Sequence, residues 1–245
     1  MNPRRIFVLE TPESPWHAFL QEFFEDTSAE ICTVHESSRA LGLFDSQSPD
    51  VVFINLDFIS MALEQKMKAF RQINPHFRAF RLGAGSKKES LFRFDECFDQ
   101  TVSLADFYKR FTPHLPLPEV IRVIVIDDEE EIGRMVRDFL ENRTQPSFHI
   151  QHTDDGKKGL EWIREKKFDV VVLDVKMPIM DGRDVYREIR TNHLQIPVVI
   201  FFDAISGEEI IEIRKFGKPA VMEKAARQSA MPEMMAVIKK LAYFG

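Results

Sequence analysis

The chain has 245 residues, 44% of them hydrophobic, enough for one large or two ordinary domain cores. Its formal charge of −6 provides no global basic field to neutralise a phosphate backbone or hold an anionic membrane surface, so neither nucleic acid nor membrane insertion is expected. Cys32 and Cys97 lie far apart without CxxC spacing, which argues against a disulfide scaffold or a zinc site and reads them as buried thiols; after Arg4 and Arg5 the apolar run Ile6–Leu9 is too short for a signal-peptide core, and the expected location is the cytoplasm.

In chain order, short apolar runs alternate with helical patterns, the signature of βαβ units and a parallel sheet. The first half predicts strands at Ile6–Leu9, Ile31–Val34, Val51–Ile54, Phe77–Phe80 and Cys97–Phe98. Trp16, Phe19, Leu20 and Phe23 stripe its first helix. Pro113, Pro116 and Pro118 then mark a semi-rigid linker, because proline cannot donate to a ladder and biases its predecessor toward extended backbone. The second half repeats the plan, with strands at Val123–Ile126, Phe148–His152, Val170–Leu173, Val198–Phe202 and Ala220–Met222. Ile132, Met135, Val136, Phe139 and Leu140 form one apolar helix stripe, and an amphipathic helix at about Met231–Phe244 ends the chain.

The expectation is a duplicated α/β chain: a first domain at 1–112, a linker at 113–120 and a second domain at 121–245. Each is a doubly wound, flavodoxin-like five-stranded sheet of order 2-1-3-4-5. The competing arrangement is a single ten-stranded sheet.

Asp127 and Asp128 end the first strand of the second half and Asp174 ends the third. In a 2-1-3-4-5 sheet these strands are neighbours at the topological switch point, so the acids converge at the carboxyl edge. Two such charges at about 4 Å repel by roughly 4 kcal/mol at an effective dielectric near 20, so the cluster attracts a divalent cation, and oxygen ligands with room for water favour Mg²⁺. Lys224 follows the fifth strand onto the same edge, where it could neutralise an incoming phosphoryl group while an Asp acts as nucleophile.

The segments VIVIDDEEEIGRMVRDFL, DVVVLDVKMPIMDG and IPVVIFFDA, with Lys224, resemble the receiver domain of response regulators over about residues 121–243. The resemblance implies Asp174 as phosphoacceptor, with Mg²⁺ held by Asp128, the Asp174 carboxylate and the Lys176 carbonyl, and by Asp127 through water. Met177, Pro178, Asp181 and Gly182 resemble the family's turn after the acceptor. A histidine kinase or phosphotransfer protein would be the phosphodonor and a downstream signalling protein the output. A possible homodimer would use the second domain's fourth helix, fifth strand and fifth helix, where Ile210, Ile211, Ile213 and Phe216 exceed one buried stripe.

The sequence also departs from that family. Phe202 stands where the family has Ser or Thr, Val221 where it has the aromatic switch residue, and Ala225 where it has proline. Asp203 reads as an outward loop carboxylate. In the first half, Asn55 takes the acceptor place, Glu10 and Thr11 stand for the two leading acids, and Gln100 stands for the lysine, which resembles a pseudo-receiver. The Gly83–Ser86 patch reads as a plain turn rather than a phosphate cradle.

The expected function is a stand-alone tandem signalling adaptor and not an enzyme. The alternatives are an aspartyl-phosphate phosphatase of the haloacid dehalogenase type, whose second acid would fall on Lys176, and a scaffold that is never phosphorylated.

Overall fold

The computed structural model describes residues 3–83, 90–98, 102–192, 194–224 and 227–245, and of 227–229 the backbone only. The expected strands form two separate parallel sheets rather than one. The chain falls into two units, the first reaching Pro116 and the second starting at Leu117.

In the first unit the strands are β1 (Arg5–Leu9), β2 (Glu30–Val34), β3 (Val51–Asn55), β4 (Arg78–Leu82) and β5 (Glu96–Phe98), in the order β2-β1-β3-β4-β5. Helices α1 (Pro15–Phe24), α2 (Ser37–Gln47), α3 (Met61–Ile73) and α4 (Leu104–Phe111) cross between them. Three start where a serine oxygen accepts an orphan backbone N–H: Ser14, Ser60 and Ser103. Phenylalanines fill both sides of the sheet: Phe7, Phe44, Phe70 and Phe77 lie on one side, while Phe107 meets Phe19, Phe23 and Phe98 at centroid distances of 5.0, 4.7 and 4.5 Å. Such rings bury large apolar areas and add edge-to-face attraction. The proline-rich segment is not wholly extended, because Thr112–His114 make a 3-10 turn with Pro113 near its start, where a fixed φ is favourable.

The second unit has β6 (Val120–Ile126), β7 (Ser147–Thr153), β8 (Val170–Leu173), β9 (Val198–Phe202) and β10 (Ala220–Glu223), in the order β7-β6-β8-β9-β10. Its helices are α5 (Glu130–Leu140), α6 (Gly156–Glu165), α7 (Gly182–Thr191), α8 (Gly207–Arg214) and α9 (Arg227–Phe244). Valine and isoleucine saturate β6, β8 and β9 because a parallel sheet is covered on both faces. Asp155 and Asp181 cap α6 and α7, and Ser206 with Glu209 forms a capping box on α8. Both sheets thus have the expected 2-1-3-4-5 order, which places the ends of the first and third strands of each unit side by side.

Two expectations are corrected. Cys32 and Cys97 are free but only half-buried. Ile213, one of the four residues assigned to an association surface, is 3% exposed and packs in the core with Ile189, Ile200 and Phe202; Ile211 at 63% and Phe216 at 42% are the side chains that remain outside. The physical reason is the turn of α8, which carries only one of its isoleucines fully inward. Gln100, Ala225 and most of the Gly83–Ser86 patch lie outside the described residues, although Gly83 itself has φ +79°, as a turn requires.

These placements predict opposite outcomes for two neighbouring substitutions in chemical denaturation. Ile213→Glu buries an unpaired carboxylate and is expected to cost several kcal/mol, whereas Ile211→Glu stays within about 0.5 kcal/mol of the parent.

Candidate acidic phosphoacceptor site

β6 and β8 are direct neighbours, with Ile126 opposite Leu173. Asp127 and Asp174 follow these paired residues, and Asp174 N–H donates to the Ile126 carbonyl at 2.9 Å, fixing the two acids at one edge. Ligand oxygens of Asp127, Asp128 and Asp174 lie within 4.8 Å of one another. Asp127 and Asp174 are buried and Asp128 is exposed, so the cluster has an inner wall and an open side.

Lys224 follows β10, and its backbone N–H donates to the Phe202 carbonyl at 2.6 Å. Its ammonium is 2.9 Å from Asp127 Oδ2, 2.9 Å from Asp174 Oδ1 and 3.6 Å from Glu129 Oε1, and the side chain is 1% exposed. Burial alone would lower the lysine pKa, but the two aspartates outweigh it and hold it above the ordinary lysine value. Burial pushes Asp127 up to about 6 against the pull of Lys224, and the Asp174 charge adds to the rise. Asp174 is raised in the same way, by burial first and then by Asp128. The site therefore carries more negative charge than its lysine neutralises.

The donor set fits a hard divalent cation. Three aspartates and one ammonium leave a formal excess of two negative charges. Asp127 Oδ2 is also buried without a hydrogen-bond donor in good geometry, although it is ion-paired with Lys224. Lys176, whose carbonyl is a candidate ligand, sits two residues past Asp174 with its side chain in solvent.

The loop after Asp174 is shaped by close backbone approach. A Cβ on Gly182 would lie 1.9 Å from the Asp174 carbonyl oxygen, and Gly182 N–H donates to the Val175 carbonyl at 2.7 Å. Only glycine allows α7 to start against the Asp174 backbone. Asp181 caps that helix and pairs with Arg183 at 2.8 Å, and Arg183 reaches Glu212 of α8 at 3.3 Å. The hydroxyl position of the receiver pattern is filled by Phe202, which packs at 7% exposure in the apolar cluster that Val221 also touches. Asp203 is exposed.

Two neighbours were not singled out from the sequence. Glu129 joins the lysine's partners, and His152 Nε2 pairs with the Asp127 carbonyl at 2.9 Å while its ring fills the space beside Gly133. The run of acids after Asp128 hinted at the first; nothing in the sequence pattern pointed to the second.

In the first unit the corresponding edge holds different chemistry. Glu10 is buried and directly follows β1, and Asn55 ends β3; Asn55 Nδ2 donates to both Glu10 oxygens at 3.2 and 3.3 Å. Thr11 N–H also donates to Glu10 at 2.9 Å, and Asn55 Oδ1 accepts from Asp57 N–H. The carboxylate is satisfied by neutral donors, and no metal-holding group of acids occurs here among the described residues.

The raised Asp127 value sets a pH signature in the absence of divalent cation. Because its native pKa lies above the ordinary 3.8, the native state holds this proton between pH 4 and 6 while the unfolded chain has lost it. Stability contributed by this group is therefore lost as pH rises through that window. Relative to Asp127→Asn, the wild type is expected to lose on the order of 3 kcal/mol between pH 4 and 7 in urea titrations. Separately, Gly182→Ala is expected to cost about 1–3 kcal/mol in the same measurement, since the new methyl must displace backbone.

The chain is 28% identical over 116 residues to the transcriptional regulatory protein RprY of Bacteroides fragilis, covering 45% of this chain and 48% of that protein. It is 32% identical over 118 residues to the transcriptional regulatory protein QseB of Escherichia coli O157:H7, covering 45% and 52%. It thus spans about half the length of these relatives. Among solved structures, the receiver domain of the Francisella response regulator 1452 aligns at 25% identity and a TM-score of 0.44, over 50% of this chain and 96% of that one. Residues 123–236 match the family model described as the response regulator receiver domain, so the chain carries one receiver domain by family model and, before it, a second sheet of the same receiver-like topology.

Proposed function

We propose that the chain is a two-component signalling adaptor whose second unit takes a phosphoryl group on Asp174 and whose first unit is a pseudo-receiver that presents a protein-binding surface. The receiver match supports the two-component setting. The observation that carries the rest is the convergence of three carboxylates within 4.8 Å around an ammonium 2.9 Å from two of them.

In this reading an Asp174 oxygen attacks the phosphorus of a phosphohistidine on a histidine kinase or phosphotransfer protein. The phosphorus–nitrogen bond breaks, and its electron pair stays on the imidazole. Asp127, Asp128, Asp174 and the Lys176 carbonyl are the residues that would hold Mg²⁺, which when bound supplies charge neutralisation for the transferring oxygens. Lys224, already beside the Asp174 carboxylate, offsets the negative charge that arrives there. Phe202 contributes no hydroxyl to the phosphoryl group, so the burden of holding it falls on the lysine and the cation. The first unit is excluded from the chemistry because an amide is a poor phosphoacceptor and Glu10 is already satisfied. Ile211 and Phe216 are the apolar side chains that the α8 side offers to a downstream protein or a second copy. Turnover of phosphate esters, nucleic-acid binding and membrane insertion form no part of this reading.

Millimolar Mg²⁺ is expected to raise the thermal midpoint, because a cation bound only by the native cluster stabilises by mass action, and Asp128→Ala is expected to abolish the rise. An unchanged midpoint in the wild type would remove the metal pocket. Acetyl phosphate labelling read by mass spectrometry is expected on Asp174 alone and to vanish in Asp174→Asn. A labelled wild type would exclude the never-phosphorylated scaffold, and steady release of phosphate from small esters would favour the phosphatase.

A further inference from the structure

A second cluster of charge lies at the other edge of the same sheet and takes no part in the acidic site. Arg122 interrupts β6, a strand otherwise built of valine and isoleucine, and pairs in register with His149 of β7. Gln151, two residues on, shares the His149 face. Lys166, Lys167 and Phe168, in the turn between α6 and β8, complete the wall of a cavity of about 360 Å³. That volume lies within the usual range for small-molecule sites, roughly 300–1,000 Å³.

The groups are held in place. Lys166 Nζ sits 4.3 Å from the Trp162 ring centre and donates to Gln151 Oε1 at 3.1 Å, while Gln151 Nε2 meets His149 Nε2 at 3.3 Å. Glu165 precedes Lys166 and Asp169 follows Phe168, and the Asp169 carboxylate accepts the Arg122 backbone N–H at 2.7 Å. Among the described residues no carboxylate forms an ion pair with Arg122, Lys166 or Lys167. Three cations line one cavity and two carboxylates, Glu165 and Asp169, flank it in sequence, which leaves a local excess of one positive charge that an anion would neutralise. Phe168 adds an aromatic side chain to that wall, which suits a flat apolar group attached to the anion.

We propose that this pocket binds a small phosphorylated ligand bearing a planar ring, of the nucleoside monophosphate kind, with the phosphate on Arg122, Lys166 and Lys167 and the ring against Phe168. The ligand would report to the receiver unit from the edge opposite its phosphoacceptor.

The test is isothermal titration of the full chain, without divalent cation, using adenosine monophosphate, inorganic phosphate and adenosine as probes. Saturable binding of the monophosphate at millimolar concentration or below is expected, with phosphate weaker and adenosine silent. Arg122→Ala with Lys167→Ala is expected to weaken it by at least about tenfold, since two charge-assisted contacts are lost. Asp174→Asn is expected to bind as the wild type does, which separates this pocket from the acidic site. Both cations are exposed, and circular dichroism would verify the fold; Lys167→Glu, in the turn alone, serves as a second variant. Three results would each overturn the proposal: no saturable heat with the monophosphate, undiminished binding in both variants, or equal binding of inorganic phosphate. Displacement of the monophosphate by a short oligonucleotide of much higher affinity would do the same, because the cations would then belong to a nucleic-acid surface.

Discussion

The second unit is organised around one buried ammonium. Lys224 is 1% exposed and lies 2.9 Å from each of two buried carboxylates that end neighbouring strands. Taking any of these charges out of water alone would cost several kcal/mol; together they are tolerable because each partner shields another. The arrangement requires β6, β8 and β10 to end at one level, and the register of the whole sheet therefore bears on the charge balance at its edge. Two negative charges remain in excess, and the pocket is left electrostatically incomplete in a way that a divalent cation or a proton on Asp127 would relieve.

The surroundings convert that imbalance into a shaped site. Gly182 lets the loop after Asp174 fold against the Asp174 carbonyl, and Asp181 at the cap of α7 is tied through Arg183 to α8. A change in charge at Asp174 is thus one short loop away from a surface ion network. At the end of β9, by contrast, Phe202 packs into the apolar core beside Val221, so this side of the pocket is held by dispersion and burial rather than by a hydroxyl.

Much of this was legible in the sequence because parallel α/β units announce themselves through period and punctuation. Short apolar runs located the strands in both halves to within a few residues, and in the second half the acids that follow them located the carboxyl edge. Asp127, Asp128, Asp174 and Lys224 converge as the 2-1-3-4-5 order requires. Ile213 illustrates the limit: hydrophobicity alone cannot tell which isoleucine of a short helix faces inward when three stand within four positions. His152 and Glu129 show a second limit, since their roles depend on how a loop curls over the edge, which residue type and spacing do not encode. The basic cavity was hidden for a related reason: Arg122, His149 and Lys166 are distant in sequence and meet only through strand register.

The Glu10–Asn55 hydrogen bond in the first unit makes position 55 resist an acid. Replacing Asn55 by aspartate would remove the two donor contacts to Glu10 and set a second carboxylate against it, with Thr11 unable to serve as an acidic ligand. A three-acid cluster like that of the second unit is therefore more than one substitution away in the first, and Asn55→Asp alone is unfavourable there.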